Sequence, residues 1–212
     1  SPITIMAAVR LFTWESLQGL ILGYRPLIMK FQSDLKQAFL IKRYKRFFAD
    51  VRLKNNDIIT VHCANTGSMI GLKNVNQKVL IENSGNPNRK LLFSWKLNEL
   101  GSGSFVIIDT GMANKIINEA LIDGVLPELS GYASFRKEVK YGSNSRIDFL
   151  LENGEHEKCY VEVKSITLSR KRSVAEFPDS VTSRGAKHLI ELSNMVKEGH
   201  RAVLLFLVCR DD

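Results

Sequence analysis

Two carboxylates and a lysine in the second half of the chain have the types and spacing of a site that handles phosphodiesters with a metal ion. Asp148 lies in one apolar run, and Glu162 and Lys164 lie in the next, with polar residues 152–158 between the runs. Two such runs joined by a polar loop predict a β-hairpin. A loop centred on residue 155 places Asp148 directly opposite Glu162.

This pairing has a chemical consequence, because facing carboxylates repel unless a cation lies between them. Residues two apart share a strand face, so Lys164 joins Glu162. Carboxylate oxygens suit Mg²⁺ or Mn²⁺, and Mg²⁺ keeps waters, one of which can attack a phosphodiester. Asp148 and Glu162 are therefore candidate metal ligands. Lys164 is a candidate catalytic group that positions the water or stabilises transition-state charge.

The alternative is an amphipathic edge hairpin whose charges lie in water. A Glu-x-Lys triplet occurs roughly once by chance in a chain of this length, and a second copy stands at 138–140. A register slip of one residue would also move a whole strand's side chains to the other face. We expect the triplet at 138–140 to begin a third, adjacent strand.

Composition limits the class of protein. The 212 residues carry a formal charge of +8, with a pI near 9.4 and 44 % hydrophobic residues. This suits one large or two small domains and favours a polyanionic partner, nucleic acid rather than a membrane. Cys63, Cys159 and Cys209 lack CxxC spacing, so we expect buried thiols and a reducing cytoplasm.

A basic, aromatic stretch spans residues 39–54. Its cations suit contacts to a nucleic-acid backbone, and Tyr44, Phe47 or Phe48 could stack on bases. The alternative is a strand whose cations extend over a buried face. Phe47 and Phe48 cannot both face solvent on one strand.

Short β-type runs follow and predict a small barrel. The loops 65–69 and 83–90 between them are rich in small polar residues, which can expose backbone N–H groups to an anion or form plain turns. The candidate DNA contacts from the basic stretch and these loops are Lys42, Arg43, Tyr44, Lys45, Arg46, Asn65, Ser68, Arg89 and Lys90. The β-type runs are 58–62, 78–81, 91–97 and 104–109.

Helical periodicity begins near Met112 and predicts an element that joins two domains. A second helix, capped by residue 182 or 183, is expected to bury Leu189, Leu192, Met195 and Val196 and to end at Gly199, before a buried strand at 202–208. Arg184 and His188 are one turn apart on it and could point to the metal face, although a lone histidine at such a position is more often structural.

Several motifs together resemble the bacterial sugar fermentation stimulation protein family, over nearly everything from Met29 onward. They are 40–51, 65–69, 86–90, 138–142, 146–149, 160–165, 177–189 and 199–206. The resemblance implies an α+β or α/β chain, with an N-terminal OB-like β-barrel (29–110) and a restriction-endonuclease-like PD-(D/E)xK domain (111–212).

The resemblance also implies a DNA-binding protein linked to the regulation of sugar (maltose) metabolism. The nuclease-type residues carry over as Asp148, Glu162 and Lys164. Further positions of the family pattern are matched by Glu138, Asp179, Arg184 and His188. Three functions stay open: DNA binding without strong sequence preference, Mg²⁺-dependent DNA cleavage, or binding of RNA or a small anion with vestigial carboxylates. The sequence does not determine the oligomeric state, and a homodimer stays open.

The two ends depart from the family pattern. Residues 1–28 have no recognised counterpart and are expected to be an extension without a recognisable function. Family members are expected to continue past residue 212, so the strand at 202–208 would be an exposed sheet edge.

Overall fold

The computed structural model describes residues 4–8, 31–101, 103–154, 157–171, 174–177 and 183–212. These residues belong to two compact units. The barrel unit lies within Arg10–Ala113, Ile166–Phe177 and Cys209–Asp212, and the sheet unit lies within Ser1–Val9, Asn114–Ser165 and Pro178–Val208.

The barrel unit contains six strands: β2 (Lys36–Tyr44), β3 (Phe48–Leu53), β4 (Ile58–Cys63), β5 (Lys78–Asn83), β6 (Phe93–Glu99) and β7 (Phe105–Ile107). Their order in the sheet is β4-β3-β2-β5-β6-β7. An additional parallel pairing between β4 and β6, at His62↔Ser94 and Cys63↔Trp95, closes five of them into a barrel and leaves β7 attached outside the ring. The prediction of a small barrel is confirmed.

Alternation along the strands fills the barrel. Ala49 and Val51 of β3 are fully buried while their neighbours are only partly buried, as a strand with one inward face requires. Trp95 is the largest fully buried side chain, and its Nε1 donates to Oδ1 of buried Asn98 at 2.9 Å. Because that N–H has a hydrogen-bond partner, burial of the ring leaves no polar group unsatisfied. Replacing Trp95 with Ala should therefore lower the free energy of unfolding by about 3–5 kcal/mol.

A bulge in β2 determines which residues of the basic stretch face outward. The pairing of β2 with β3 shifts between Leu40 and Lys42. Leu40 is fully buried, and without the extra residue Lys42 would point into the same core. The bulge instead pairs Lys42 with Asp50 and Tyr44 with Phe48 on the outer face.

The sheet unit has five strands: β1 (Thr4–Ala8), β8 (Ser134–Tyr141), β9 (Ser145–Glu152), β10 (Lys158–Ile166) and β11 (Arg201–Val208). Their order in the sheet is β1-β11-β10-β9-β8. Strand β8 pairs with β9, so the expected third, adjacent strand is present. It starts at Ser134, and the triplet 138–140 therefore lies near its end and does not begin it. The register between β9 and β10, from Lys158↔Glu152 to Val161↔Phe149, is that of a loop centred on residue 155.

The N-terminal strand changes one expectation. Residues 4–8 pair in parallel with β11, from Thr4↔Val203 to Ala8↔Leu207, so β11 is not the exposed edge that we expected. The unpaired backbone groups of such an edge offer a template for another strand. The extension 1–28 therefore contributes an edge strand, and its residues 1–3 and 9–28 lie outside the described residues.

Two α-helices belong to the described residues, α1 (Gly111–Ile122) and α2 (Ser183–Lys197). Helix α2 ends as predicted before Gly199, whose φ of +89° suits a left-handed cap. Its buried stripe differs from the expected one. Leu192 and Met195 are buried and Val196 packs against them, as expected. Leu189 is 45 % exposed, however, and Glu191 is only 5 % exposed.

The two compact units are not divided by a single boundary between residues 110 and 111, which is the division that the family resemblance implies. Segments 166–177 and 209–212 belong to the barrel unit. Ile107 N–H donates to the Cys209 carbonyl at 2.8 Å, and Phe105 N–H donates to Oδ1 of Asp211 at 2.6 Å. The chain end thus completes backbone pairing beside β7.

All three cysteines are free and buried, so the prediction that they are core residues is confirmed. Among the helices of the described residues, none is both long and apolar enough to cross a bilayer.

Candidate functional site

The centre of the candidate site is Glu162, a carboxylate on β10 that is only 5 % exposed. Nζ of Lys164 donates to Oε1 of Glu162 at 2.7 Å. Nδ1 of His188, on α2, lies 3.0 Å from the same oxygen. A buried carboxylate needs such partners. The predicted Glu162 and Lys164 pair is thus in contact, and α2 brings His188 to it.

The second carboxylate, Asp148, is held from both sides. Its Oδ2 accepts the backbone N–H of Val163 at 2.7 Å, and its Oδ1 accepts Nδ2 of Asn114 at 2.8 Å. Because Val163 lies between Glu162 and Lys164, the first bond ties Asp148 to the strand that carries the other two groups. Asn114 on α1 was missed from sequence, since no local pattern links residues 34 apart.

The two carboxylates suit a hydrated divalent ion better than a closed metal cage. Within the described part of the chain, no group of three or more His, Cys, Asp or Glu side chains is arranged to hold a metal. Structural zinc needs such a set, whereas Mg²⁺ commonly uses one or two carboxylates and keeps several waters. A carboxylate pair offers about eight acceptor positions, and the four bonds described above leave about half of them free. Asp148 and Glu162 therefore fit Mg²⁺ or Mn²⁺.

Tyr141, at the end of β8, is a member of the site that sequence reasoning did not single out. It is 7 % exposed, and its hydroxyl has no hydrogen-bond partner among the described residues. Burial raises its pKa, and the negative charges of Glu162, Glu191 and Asp148 raise it further. The phenol therefore stays protonated and keeps an O–H to donate.

Glu191 was also missed, because hydrophobic periodicity assigned the buried positions of α2 to leucines. Its Oε1 accepts the backbone N–H of Ser143 at 3.2 Å and the Ser143 hydroxyl at 3.0 Å. A hydrogen bond from Ser145 is the main reason that its pKa is lowered, despite burial, with Ser143 and Asn144 adding to the effect. The ionised carboxylate thus holds the turn between β8 and β9.

The predicted catalytic residue Glu138 is placed differently from the other two acids. It is exposed, has φ of +53° inside β8, and falls in a gap in the register between Lys137↔Phe149 and Val139↔Ile147. Its carbonyl accepts Nη1 of Arg146 at 3.3 Å. Its carboxylate takes no part in the described hydrogen bonds of Asp148 and Glu162. Asp179 and the side chain of Arg184 lie outside the described residues.

On the barrel, Asp50 anchors the outer face. It accepts hydrogen bonds from Thr60 at 2.8 Å and Tyr44 at 3.0 Å, and Lys42 lies 3.4 Å away. Burial raises the pKa of Asp50, but these three hydrogen bonds outweigh it and lower the pKa. The ring of Tyr44 stacks on Phe48 with centroids 5.7 Å apart. Part of the predicted stacking surface is thus occupied within the protein.

Arg43 and Asn65 support the loops rather than extend from them. The Arg43 guanidinium donates to the carbonyls of Asn65 at 2.8 Å and Arg46 at 3.1 Å. Asn65 is 8 % exposed, and its Oδ1 accepts the Gly67 N–H at 2.8 Å. Asn83 takes the Gly85 N–H at 2.9 Å in the same way. These N–H groups are therefore not available to an anion, which favours plain turns at these two asparagines.

The remaining predicted contacts of the barrel are exposed. Lys45 and Arg46 stand in the loop between β2 and β3 with φ of 47° and 63°, beside Phe47, which is 47 % exposed. Phe48 is only partly buried and stacked, so the two phenylalanines do differ in exposure as expected. The other exposed members of the predicted set are Lys42, Ser68, Arg89 and Lys90.

Comparison with known families places both halves of the chain. Residues 41–108 match the SfsA N-terminal OB domain, and residues 111–212 match the sugar fermentation stimulation protein RE domain. Two relatives are named sugar fermentation stimulation protein homolog. The one from Maricaulis maris is 52 % identical over 87 % of this chain and 78 % of its own. The one from Ruegeria sp. strain TM1040 is 51 % identical over 87 % and 79 %.

A solved structure agrees with the fold. The SfsA protein of Pyrococcus furiosus, described in complex with Ca²⁺, has a TM-score of 0.74 to this chain and 27 % sequence identity. The likeness covers 84 % of this chain and 74 % of the archaeal one. With relatives of about half-identical sequence along most of its length, this chain belongs to the sugar fermentation stimulation protein family.

Proposed function

We propose that this protein binds DNA without strong sequence preference, through the edge of its barrel that the loop between β2 and β3 forms. The observation that carries this is the loop of Lys45, Arg46 and Phe47, which exposes two cations beside an aromatic ring. Cations neutralise phosphates whatever the sequence, and an exposed ring can stack on any base. OB-type barrels bind oligonucleotides with this kind of surface.

The net charge of +8 supports the same proposal, since long-range attraction to a polyanion speeds association and strengthens non-specific binding. The relatives are named for the stimulation of sugar fermentation. The family resemblance implies that DNA binding is linked to the regulation of maltose metabolism. We place the protein in the cytoplasm, where buried free thiols persist.

Fluorescence anisotropy of the intact chain with labelled DNA tests the binding. We expect single-stranded and duplex DNA of two unrelated sequences to bind with affinities that differ little between sequences. Replacing both Lys45 and Arg46 with Ala should weaken binding to all of them. The matched control removes two exposed cations elsewhere on the barrel, Lys54 and Lys73. Equal losses in both variants, or no binding by the unaltered chain, contradict the proposal.

A second candidate function is metal-dependent cleavage of DNA, with the sheet unit as a PD-(D/E)xK domain. The specific observation in its favour is the bond from Val163 N–H to Asp148, which holds Asp148 beside Glu162 and Lys164. Asp148 and Glu162 would hold Mg²⁺ or Mn²⁺, which supplies charge stabilisation and a more acidic water. The archaeal relative described with Ca²⁺ supports a divalent-ion site in the family.

The protein's own groups have separate roles in this candidate mechanism. Lys164 places a positive charge 2.7 Å from Glu162, where it can stabilise negative charge on a phosphoryl oxygen. His188 orients the Glu162 carboxylate from α2, and Asn114 orients that of Asp148. Such supporting bonds keep ligands in a fixed geometry.

Cleavage is tested by incubating single-stranded, duplex and branched DNA with the protein in Mg²⁺ or Mn²⁺, beside Glu162→Ala and an EDTA control. Products that require the metal and disappear in the variant support the nuclease. DNA binding without cleavage in either metal contradicts it and leaves the binding function.

A further inference from the structure

A cavity of about 760 Å³ lies in the sheet unit, between the turn that joins β8 to β9 and helix α2. Its wall includes the turn residues 142–145, and His188 lines it from the helix. A space of this volume is large enough for a nucleotide-sized ligand. Because His188 also lies 3.0 Å from Glu162, the cavity adjoins the carboxylate site.

The charged side chains that line the cavity have one sign. Lys140 and Arg146 stand at the two ends of the turn, and Lys187 lines the cavity from α2. All three are exposed, and none of the described lining residues is Asp or Glu. Lys187 is partly neutralised by Glu191, 3.9 Å away. Like charges around one space repel, and an anion inside it relieves the repulsion.

The wall of the cavity is rigidly built. Buried Glu191 accepts the N–H and hydroxyl of Ser143. At Gly142, φ is +56°, and a Cβ would lie 2.9 Å from Cδ of Glu191. Glycine is therefore required for the turn to approach the carboxylate this closely. A turn held in this way presents its polar groups without first having to be ordered.

An unpartnered donor completes the arrangement. Tyr141 lines the cavity, is only 7 % exposed, and its hydroxyl has no partner among the described residues. A buried hydroxyl without a hydrogen bond is costly unless a ligand supplies the acceptor. Lysine and arginine side chains only donate hydrogen bonds, and the protonated Tyr141 hydroxyl has an O–H to donate. The lining therefore favours a ligand with acceptor oxygens.

We propose that this cavity binds a phosphate group, either the terminal phosphate of a nucleic-acid strand or that of a free nucleotide. The inference rests on the proposed nucleic-acid function and gives it a substrate preference, for strands that end in phosphate. Lys140, Arg146 and Lys187 balance the charge, and the Tyr141 hydroxyl donates to a phosphate oxygen. A terminal phosphate carries more charge than an internal one and gains more from three cations.

The test compares oligonucleotides that are identical except for a phosphate or a hydroxyl at the 5′ or 3′ end. Binding to the intact chain is measured by titration calorimetry, with inorganic phosphate and a deoxynucleoside monophosphate as separate probes. We expect one phosphorylated end to bind about tenfold more tightly than its hydroxyl counterpart, since charge-assisted bonds are the strong ones. A preference for the monophosphate over both oligonucleotides would identify a free nucleotide as the ligand.

Variants connect the preference to the cavity. Lys140→Ala with Arg146→Gln should abolish the phosphate preference, whereas Lys115→Ala with Lys197→Ala, which removes two exposed cations elsewhere in the unit, should leave it unchanged. Tyr141→Phe should reduce it without lowering the melting temperature, because no described bond is lost. Oligonucleotide binding that ignores the end group overturns the inference but not the proposed function. Phosphate binding without any DNA binding overturns the proposed function alone.

Discussion

The Asp148 carboxylate accepts the backbone N–H of Val163 at 2.7 Å. The register of β10 with β9 runs from Lys158↔Glu152 to Val161↔Phe149, and this bond joins the two strands beyond it. It holds one acidic side chain against the strand that carries Glu162 and Lys164. The geometry of the candidate site therefore depends on a side chain that also pairs the backbone, and stability and activity should respond together when Asp148 changes.

Asp148→Ala should lower the free energy of unfolding by about 1–3 kcal/mol, since the N–H of Val163 would lose its acceptor in a partly buried place. Urea denaturation of the variant and the unaltered chain measures the difference. Asp123→Ala, an exposed acid in the same unit, is the control and should change stability by less than about 0.5 kcal/mol. Equal effects from the two variants would show that the described bond contributes nothing.

Lys164→Ala should separate cleavage from binding if the sheet unit is a nuclease. The rate of cleavage in Mg²⁺ should fall by about 10² or more, because the charge that stabilises the transition state is lost. DNA affinity should stay within about twofold, since a single cation of several contributes little to binding. Lys137→Ala, an exposed lysine on β8, serves as the control. A parallel fall in affinity and rate would assign Lys164 to binding.

Glu191 should make the protein sensitive to acid. Hydrogen bonds led by that of Ser145 hold its pKa below the ordinary 4.5. A carboxyl with a lowered folded-state pKa contributes stability that is complete above its unfolded pKa and is lost as the pH falls through the folded one. Glu191→Gln should therefore show a smaller loss of stability below about pH 4.5. Melting temperatures from pH 7 to pH 3 measure this, and identical profiles would contradict it.

Glu138 has a backbone conformation that a side chain disfavours, with φ of +53° inside β8. Glu138→Gly should stabilise the protein or leave its stability unchanged, because glycine adopts this conformation without a steric cost. Lys137→Gly at the neighbouring position, whose φ is not positive, should destabilise it by about 0.5–1 kcal/mol. Thermal unfolding of both variants is the measurement, and equal destabilisation would contradict the expectation.

The sequence predicted those parts of the fold that local patterns encode. The hairpin register followed from apolar runs on either side of a polar loop, and the barrel followed from short β-type runs separated by turns. The Glu162 and Lys164 contact followed from strand periodicity. Each of these features joins residues that are close in sequence or repeat at a fixed period.

Long-range features of the site were not predictable in this way. Asn114 reaches Asp148 from a helix that precedes it by 34 positions. Periodicity predicted that Leu189 would be buried on α2, but Glu191 is buried instead. Hydrophobicity alone does not anticipate a carboxylate that is buried against Ser143. Glu138 has the residue type and register of a third acid, but its backbone conformation separates it from the others, and composition carries no signal of φ.

The most direct test of DNA binding at the barrel edge is the salt dependence of affinity, measured by anisotropy between 50 and 200 mM salt, conditions over which phosphate contacts weaken strongly. The logarithm of the affinity should fall linearly with the logarithm of the salt concentration. For Lys45→Ala with Arg46→Ala the slope should become shallower by about two contacts, and for Lys54→Ala with Lys73→Ala it should not change. An affinity independent of salt, or the same slope in both double variants, would contradict DNA binding through this loop.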